Sequence, residues 1–207
     1  EKTKALVEGY FGEIPKGEIC MRGAPIFKGY YKDKKNTDEA IDKEGWHHTG
    51  DVGLIEKNGA LKIIDRKKNI YKLSQGEYIA PEKIENVYLR CHLAAEAFVY
   101  GDSLQSYNIA IIHPNKDILT KLAAEKGINK SFEELCKDRA ITQIVLDQIT
   151  HQGKQDGLLG FELAKKIALS PVSFGTFGVF TSTMKLQRHI AKQAFEKQIA
   201  ALYQEPL

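Results

Sequence analysis

The sequence predicts an α+β fold: a small β-rich piece, followed by an α+β domain in which a small sheet is flanked by helices. Three observations carry this prediction. Through the first third, Gly12, Pro15, Gly17, Gly23, Pro25, Gly29, Gly45, Gly50, Gly53 and Gly59 cut the chain into short pieces, punctuation that suits turn-rich β structure. Beyond Pro81, residues at helical spacing alternate with short apolar, β-branched runs, so helices and strands must share one core there. Between the two lies a polar, basic break, Asp65-Arg66-Lys67-Lys68-Asn69, which reads as a domain boundary.

Each element follows from local pattern. Residues 18–22 and 60–64 hold enough Ile, Leu and alternation to form strands. Asn58-Gly59, set between Leu54-Ile55 and Leu61-Lys62-Ile63-Ile64, predicts a hairpin turn because both residues tolerate positive φ. Residues 49–64 therefore read as loop, strand, turn, strand. A second short pair is expected at 70–73 and 78–79, turning at Gly76. Pro81 suits the first turn of a helix, with Ile84, Val87, Tyr88 and Cys91 following at helical spacing. The apolar stretches 94–101 and 107–113 read as strands of a small sheet. Asn115 caps a helix through about residue 126, and Ser131 with Glu134 forms a capping box. In 139–152, Ile141, Ile144, Val145, Gln148 and Ile149 fall on one helical face. A strand near 167–169 and a helix over 189–203 complete the pattern.

Composition narrows the function classes. With 207 residues and 43% hydrophobic content, the chain can bury one good core or two small ones. Its 30 basic and 27 acidic residues leave a net charge of +3, too balanced for nucleic acid as the main partner. The charged runs 32–35 and 65–68 read as solvated loops. Cys20, Cys91 and Cys136 are odd in number and lack a C-x-x-C pairing, which supports neither a disulfide framework nor a zinc cluster and suits a reducing, intracellular compartment. No run approaches the roughly 18 apolar residues that a membrane span requires, and Glu1-Lys2-Thr3-Lys4 does not resemble a signal peptide. Any peripheral membrane contact would fall to another part of the protein. The β-rich piece has few large apolar residues, so it is expected to be the edge of a larger domain.

The chemically rich stretch is Gly45-Trp46-His47-His48-Thr49-Gly50-Asp51-Val52-Gly53. A metal reading is weak, because adjacent histidines on an extended chain point to opposite faces. A His–Asp general-base pair lacks a Ser or Cys in a nucleophile-elbow context. A third reading has Gly50 turning the backbone tightly, Thr49 supplying a hydroxyl and Asp51 accepting hydrogen bonds from a ribose cis-diol. On these residues alone, an Asx-type turn accounts for the pattern as well.

Longer matches bear on the choice. "EGWHHTGDVGLIEKNGALKIIDRKK" at 44–68 is preceded by "GEICMRGAPIFKGYYK" at 17–32. It is followed by "KLSQGEYIAPEKIE" at 72–85 and "TSTMKLQRHIAKQAF" at 181–195. This train resembles the adenylate-forming (AMP-binding) superfamily, most closely its long-chain fatty-acid:CoA ligases, along essentially the whole chain. The resemblance implies that residues 1–65 are the β-rich end of a large N-terminal domain and residues 66–207 a mobile C-terminal domain. It implies a two-step reaction, in which a fatty acid attacks the α-phosphorus of ATP to give an acyl-adenylate and CoA then displaces AMP. Mg²⁺ would accompany ATP, with ligands outside this chain.

The resemblance also implies roles. Asp51 and Thr49 would bind the ribose end of the nucleotide, with Arg66 on ribose or phosphate. Asp65 would be the hinge, and Lys185 the catalytic lysine of adenylation, where a fixed cation answers charge developing on phosphate oxygens. Gly76 and Lys72 would belong to a hairpin that meets CoA. No metal ligand is assigned. The phosphate loop, adenine segment and fatty-acid tunnel of the family have no match here, so the chain is expected to be a C-terminal fragment, inactive alone and completed by the rest of the N-terminal domain. Two alternatives stay open: a ligase for an aryl or medium-chain acid or a carrier protein, and a non-catalytic nucleotide- or partner-binding module of the same fold.

Overall fold

A computed structural model describes residues 4–6 and 16–204; Gly12, Pro15 and the first three residues lie outside them. The chain divides into two compact units, Glu1–Ile70 and Tyr71–Leu207. The fold is α+β. Among the described residues, no helix is long and apolar enough to cross a membrane.

The first unit is an antiparallel sheet in the order β1 (Lys4–Leu6), β2 (Lys16–Met21), β3 (His47–Ile55) and β4 (Leu61–Arg66). One helix, α1 (Lys34–Ala40), precedes β3, where the sequence suggested only a solvated basic loop. Its start was readable: Asp33 caps it, accepting from the Asn36 amide at 3.1 Å, as an N-cap aspartate does. The β3–β4 turn also departs from expectation. Gly59 has positive φ (+84°) while Asn58 does not, the Gly59 amide donates to the Glu56 carbonyl at 2.8 Å, and the Glu56 amide donates to Ala60. Lys57, Asn58 and Gly59 thus make the longer hairpin loop that ends on a left-handed glycine.

Gly53 lies where β3 and β4 approach closely. A Cβ there would sit 2.9 Å from the Lys62 carbonyl oxygen and 3.0 Å from Ile19 Cδ1, and the carbonyl belongs to the β4 backbone, which cannot step aside without breaking the ladder. Gly53→Ala is expected to destabilise the first unit by about 1–3 kcal/mol, read as a lower urea midpoint at unchanged slope.

The second unit opens with a hairpin of β5 (Tyr71–Lys72) and β6 (Tyr78–Ile79), then α2 (Pro81–Tyr88) and β7 (Ala94–Tyr100). β8 (Asn108–Pro114) follows, then α3 (Lys116–Glu125), α4 (Phe132–Leu135), α5 (Arg139–Gln155) and β9 (Ala164–Leu169). Strand order is β7-β8-β9, antiparallel between the first pair and parallel between the second. The parallel pair requires the helical crossover through α3, α4 and α5. Alternation then fills two cores. Ala97, Val99, Ala110 and Ile112 join Ile84 and Tyr88 of α2 and Ile141, Val145 and Ile149 of α5. Phe98, Ile109 and Ile111 join Phe174, Val179, Phe195 and Ile199 on the other face. Burial on both faces explains why β8 reads as one continuous apolar run.

Caps set the helix starts. Asn115 accepts from the Ile118 amide at 3.3 Å, and Ser131 and Glu134 form the reciprocal capping box. Gln148, expected on the buried face of α5, is exposed, and Gly153 continues that face instead. The last helix is interrupted: α6 (Arg188–Ala194) and α7 (Glu196–Gln204) meet at Phe195, whose buried ring packs 4.8 Å from that of Phe174.

Candidate functional site

In the first unit, Thr49-Gly50-Asp51 is a bulge within a strand and not the open loop the sequence suggested. Cys20 pairs with His48 and Glu18 with Val52, so Ile19 alone faces the three residues Thr49, Gly50 and Asp51. Gly50 takes up the excess with φ +73°, a conformation that favours glycine. The bulge is held on both sides. Thr49 Oγ1 donates to the Ile19 carbonyl at 2.8 Å and accepts from the Asp51 amide at 3.1 Å, while the Lys67 amide donates to the Gly50 carbonyl at 2.8 Å. Such bulges re-aim side chains.

Asp51 sits directly across the β3–β4 ladder from Arg66. Arg66 Nε lies 3.1 Å from Asp51 Oδ1, with both side chains partly exposed. Arg66 Nη2 also reaches the Thr49 carbonyl at 3.4 Å. An acid and a guanidinium at one solvent-facing bulge offer a hydrogen-bond acceptor for hydroxyls and a fork of donors for phosphate oxygens. Asp65, which faces Val52 in the pair next to Asp51–Arg66, is buried. Its Oδ1 accepts from the Arg66 amide and, at 3.0 Å, from Asn69 Nδ2, closing the turn that leaves β4.

The two histidines of the stretch point apart. The His47 ring stands edge-on to Phe27 at 5.1 Å. His48 turns inward, with Nδ1 3.2 Å from Glu18 Oε2 and Nε2 3.3 Å from Asp42 Oδ2. Hydrogen bonding to Glu18, reinforced by Asp42, raises the His48 pKa above its ordinary value despite burial. Burial works against ionising Glu18, but Lys67, at 3.0 Å, and His48 outweigh it and hold the carboxyl below the usual range. Trp46 is buried, with the Arg22 guanidinium 4.6 Å from its ring centroid.

In the second unit, Lys185 stands on a tight turn. Phe180 and Leu186 form an antiparallel bridge, the Thr181 amide donates to the Lys185 carbonyl at 2.9 Å, and Thr181 Oγ1 accepts from the Lys185 amide at 3.1 Å. Met184 closes the turn in the left-handed region, φ +60°. The lysine side chain is exposed. Both flanks of this turn are anchored. The glycine-rich approach is a 3₁₀ turn, Phe174–Phe177, pinned by Glu96, which accepts from Ser173 Oγ at 2.9 Å and from the Phe174 amide at 2.6 Å. Three residues beyond Lys185, Arg188 Nη1 donates to both carboxylate oxygens of Glu85 at 2.7 and 2.9 Å, while Nη2 donates to the Val99 carbonyl and the guanidinium lies over the Phe98 ring.

The hairpin at Gly76 is a second exposed feature of that unit. Gly76 has φ +105°, and its amide donates to the Leu73 carbonyl at 2.9 Å. Lys72 Nζ lies 5.3 Å from the Tyr78 ring centroid. Next to the glycine, Glu77 Oε2 is the buried side-chain oxygen that lacks a hydrogen-bond partner among the described residues.

Thr49, Asp51 and Arg66 are thus brought together, with Asp65 adjacent. Lys185 and the Lys72–Gly76 pair occupy separate turns of the second unit. Sequence reading missed Glu18, Asp42, Glu85, Glu96 and Arg188. The side chains they pair with lie 6 to 103 positions away, beyond the reach of local sequence pattern.

No family model matches the chain. Curated relatives do. Long-chain-fatty-acid–CoA ligase 1 of Cavia porcellus is 48% identical over 195 residues, covering 94% of this chain and 28% of that protein. Long chain acyl-CoA synthetase 7, peroxisomal, of Arabidopsis thaliana is 47% identical over 193 residues, 92% of this chain and 28% of that one. Among solved structures, the adenylation domain of a carboxylate reductase from Mycobacterium chelonae aligns with TM-score 0.84 and 28% identity, over 99% of this chain and 31% of that one. The A-PCP didomain of carboxylic acid reductase from Segniliparus rugosus, in complex with AMP, aligns with TM-score 0.82 and 28% identity, over 98% and 28%. The chain spans under a third of the length of the curated relatives it matches. Within that span it is similar, by sequence, to long-chain-fatty-acid–CoA ligases and, by fold, to the adenylation domains of carboxylate reductases.

Proposed function

We propose that the protein carrying this chain activates a long-chain fatty acid with ATP and transfers the acyl group to CoA. The observation that carries this reading is the 48% identity, over 94% of the chain, to a long-chain-fatty-acid–CoA ligase. In the first step a carboxylate oxygen attacks the α-phosphorus of ATP and the bond to pyrophosphate breaks. In the second the CoA thiol attacks the acyl carbonyl, and AMP leaves.

Each residue has a role in this scheme. Asp51 accepts hydrogen bonds from ribose hydroxyls, with Thr49 holding the bulge in shape and Arg66 steering the nucleotide through its guanidinium. Lys185 places an ammonium beside the phosphate oxygens that gain charge as pyrophosphate departs. Gly76 and Lys72 form the turn along which the pantetheine arm runs. Asp65 is the hinge between the half-reactions, near the join of residues 1–65 with the mobile domain 66–207. The Mg²⁺ that accompanies ATP takes its ligands from the remainder of the N-terminal domain, as do the adenine and the acyl chain. Cys20, Cys91 and Cys136 are buried and none is in a disulfide, which supports a reducing compartment: the cytoplasm or the cytosolic face of an organelle membrane.

Product analysis tests the reading. The intact protein, given a long-chain fatty acid, ATP and CoA, is expected to release AMP and pyrophosphate in step with acyl-CoA. Release of ADP and phosphate would overturn the scheme. Asp51→Ala is expected to raise the KM for ATP about ten- to a hundredfold, the worth of hydrogen bonds to a charged group, with the KM for CoA unchanged.

A further inference from the structure

We propose that Glu18, Cys20 and His48 form a site for a borderline-soft divalent cation of the zinc class. The inference does not depend on the catalytic reading above. Glu18 and Cys20 stand at i and i+2 on β2 and so project from one face of the sheet, and register sets His48 of β3 directly opposite Cys20. A thiol, an imidazole nitrogen and a carboxylate oxygen converge there, all within 4.8 Å of one another. Cys20 Sγ is 3.6 Å from His48 Nδ1, which is 3.2 Å from Glu18 Oε2. Two donors bound to a tetrahedral zinc at about 2.3 Å (sulfur) and 2.0–2.2 Å (nitrogen or oxygen) lie roughly 3.3–3.6 Å apart. The Sγ–Nδ1 spacing falls within that range, and the Nδ1–Oε2 spacing lies just below it.

The surroundings fit as well. Asp42 Oδ2 stands 3.3 Å from His48 Nε2. A carboxylate on the far nitrogen keeps the proton there and leaves Nδ1 to donate its lone pair to a metal. Glu18 and Cys20 are buried, while the His48 side chain is one-third exposed (33%). The site therefore has a dry floor and an entry, with water available as a fourth ligand. Mixed sulfur, nitrogen and oxygen donors select zinc-like ions over magnesium or calcium, which take oxygen alone.

Lys67 competes for the site. Its Nζ lies 3.0 Å from Glu18 Oε2, on a side chain that is 62% exposed. An ammonium and a divalent cation cannot share that oxygen, and a long solvated lysine can swing away. Cation binding thus exchanges with the Lys67 ion pair. The exchange takes place between His48, the residue before the Thr49 bulge, and Lys67, the residue after Arg66.

Metal titration decides the matter without turnover, so its outcome is separate from that of the nucleotide scheme. The intact protein, stripped with chelator, is expected to bind one Zn²⁺ per chain at this site. With Co²⁺ as probe it should show a thiolate-to-metal charge-transfer band, which Cys20→Ser abolishes. Cys91 and Cys136 belong to the second unit, and burial pushes the Cys136 thiol up to about 11. Glu18→Gln and His48→Gln should weaken Zn²⁺ by on the order of tenfold or more. Lys67→Met should tighten it by a similar factor, a gain that a damaged fold could not mimic. The site is refuted by Co²⁺ spectra without the band, by a Cys20→Ser variant that keeps the band or wild-type affinity, or by a Lys67→Met variant that fails to bind more tightly.

Discussion

Lys185→Ala in the intact protein is expected to slow acyl-adenylate formation by about two to three orders of magnitude, the usual cost of removing one preorganised charge-stabilising group. Thioesterification of a supplied acyl-adenylate should stay near wild type. The geometry makes this separation clean. The Lys185 side chain is exposed and its backbone alone holds the turn, through Thr181, so alanine removes the ammonium and leaves the loop standing. Single-turnover assays of the two half-reactions read the effect. Equal losses in both would remove the assigned role, because a group that acts on departing pyrophosphate has no part in a step from which pyrophosphate is absent.

Breaking the ion pair beneath that turn should be the most damaging change to stability. Glu85 and Arg188 are both largely buried, with side-chain exposures of 8% and 17%. The carboxylate also accepts from the Val99 amide at 2.7 Å, and the guanidinium donates to the Val99 carbonyl. One pair of side chains therefore ties α2, β7 and the start of α6. Arg188→Met strands the carboxylate, and Glu85→Leu strands the guanidinium. Either is expected to cost about 3–5 kcal/mol, measured as a fall in the urea midpoint of the second unit. The double variant should lose less than the sum, since neither charge of the pair is left behind in the interior. Strict additivity would show that the two residues act independently.

Order and type of most elements were legible because their signals are local. Pro81, Asn115 and the Ser131–Glu134 box announce helix starts within four residues, and the β8 run announces a strand walled on both sides. Where the signal is non-local, legibility ends. The bulge at Thr49-Gly50-Asp51 exists only because β2 supplies one residue against three, a count that no inspection of β3 alone provides. His47 and His48 were weighed as a pair with each other, whereas the groups that meet His48 come from Glu18 and Cys20, 30 and 28 positions away. Arg188 carries no local signal, and its partner lies 103 positions back. Three-dimensional register is the missing information in each case.

The buried Trp46 beneath Arg22 is the chain's single indole, and it lies wholly within the unit Glu1–Ile70. Its emission is accordingly a built-in optical label for that unit alone. Melting of the tyrosine-bearing remainder is silent in the same channel, so one cuvette separates the two transitions without an added dye.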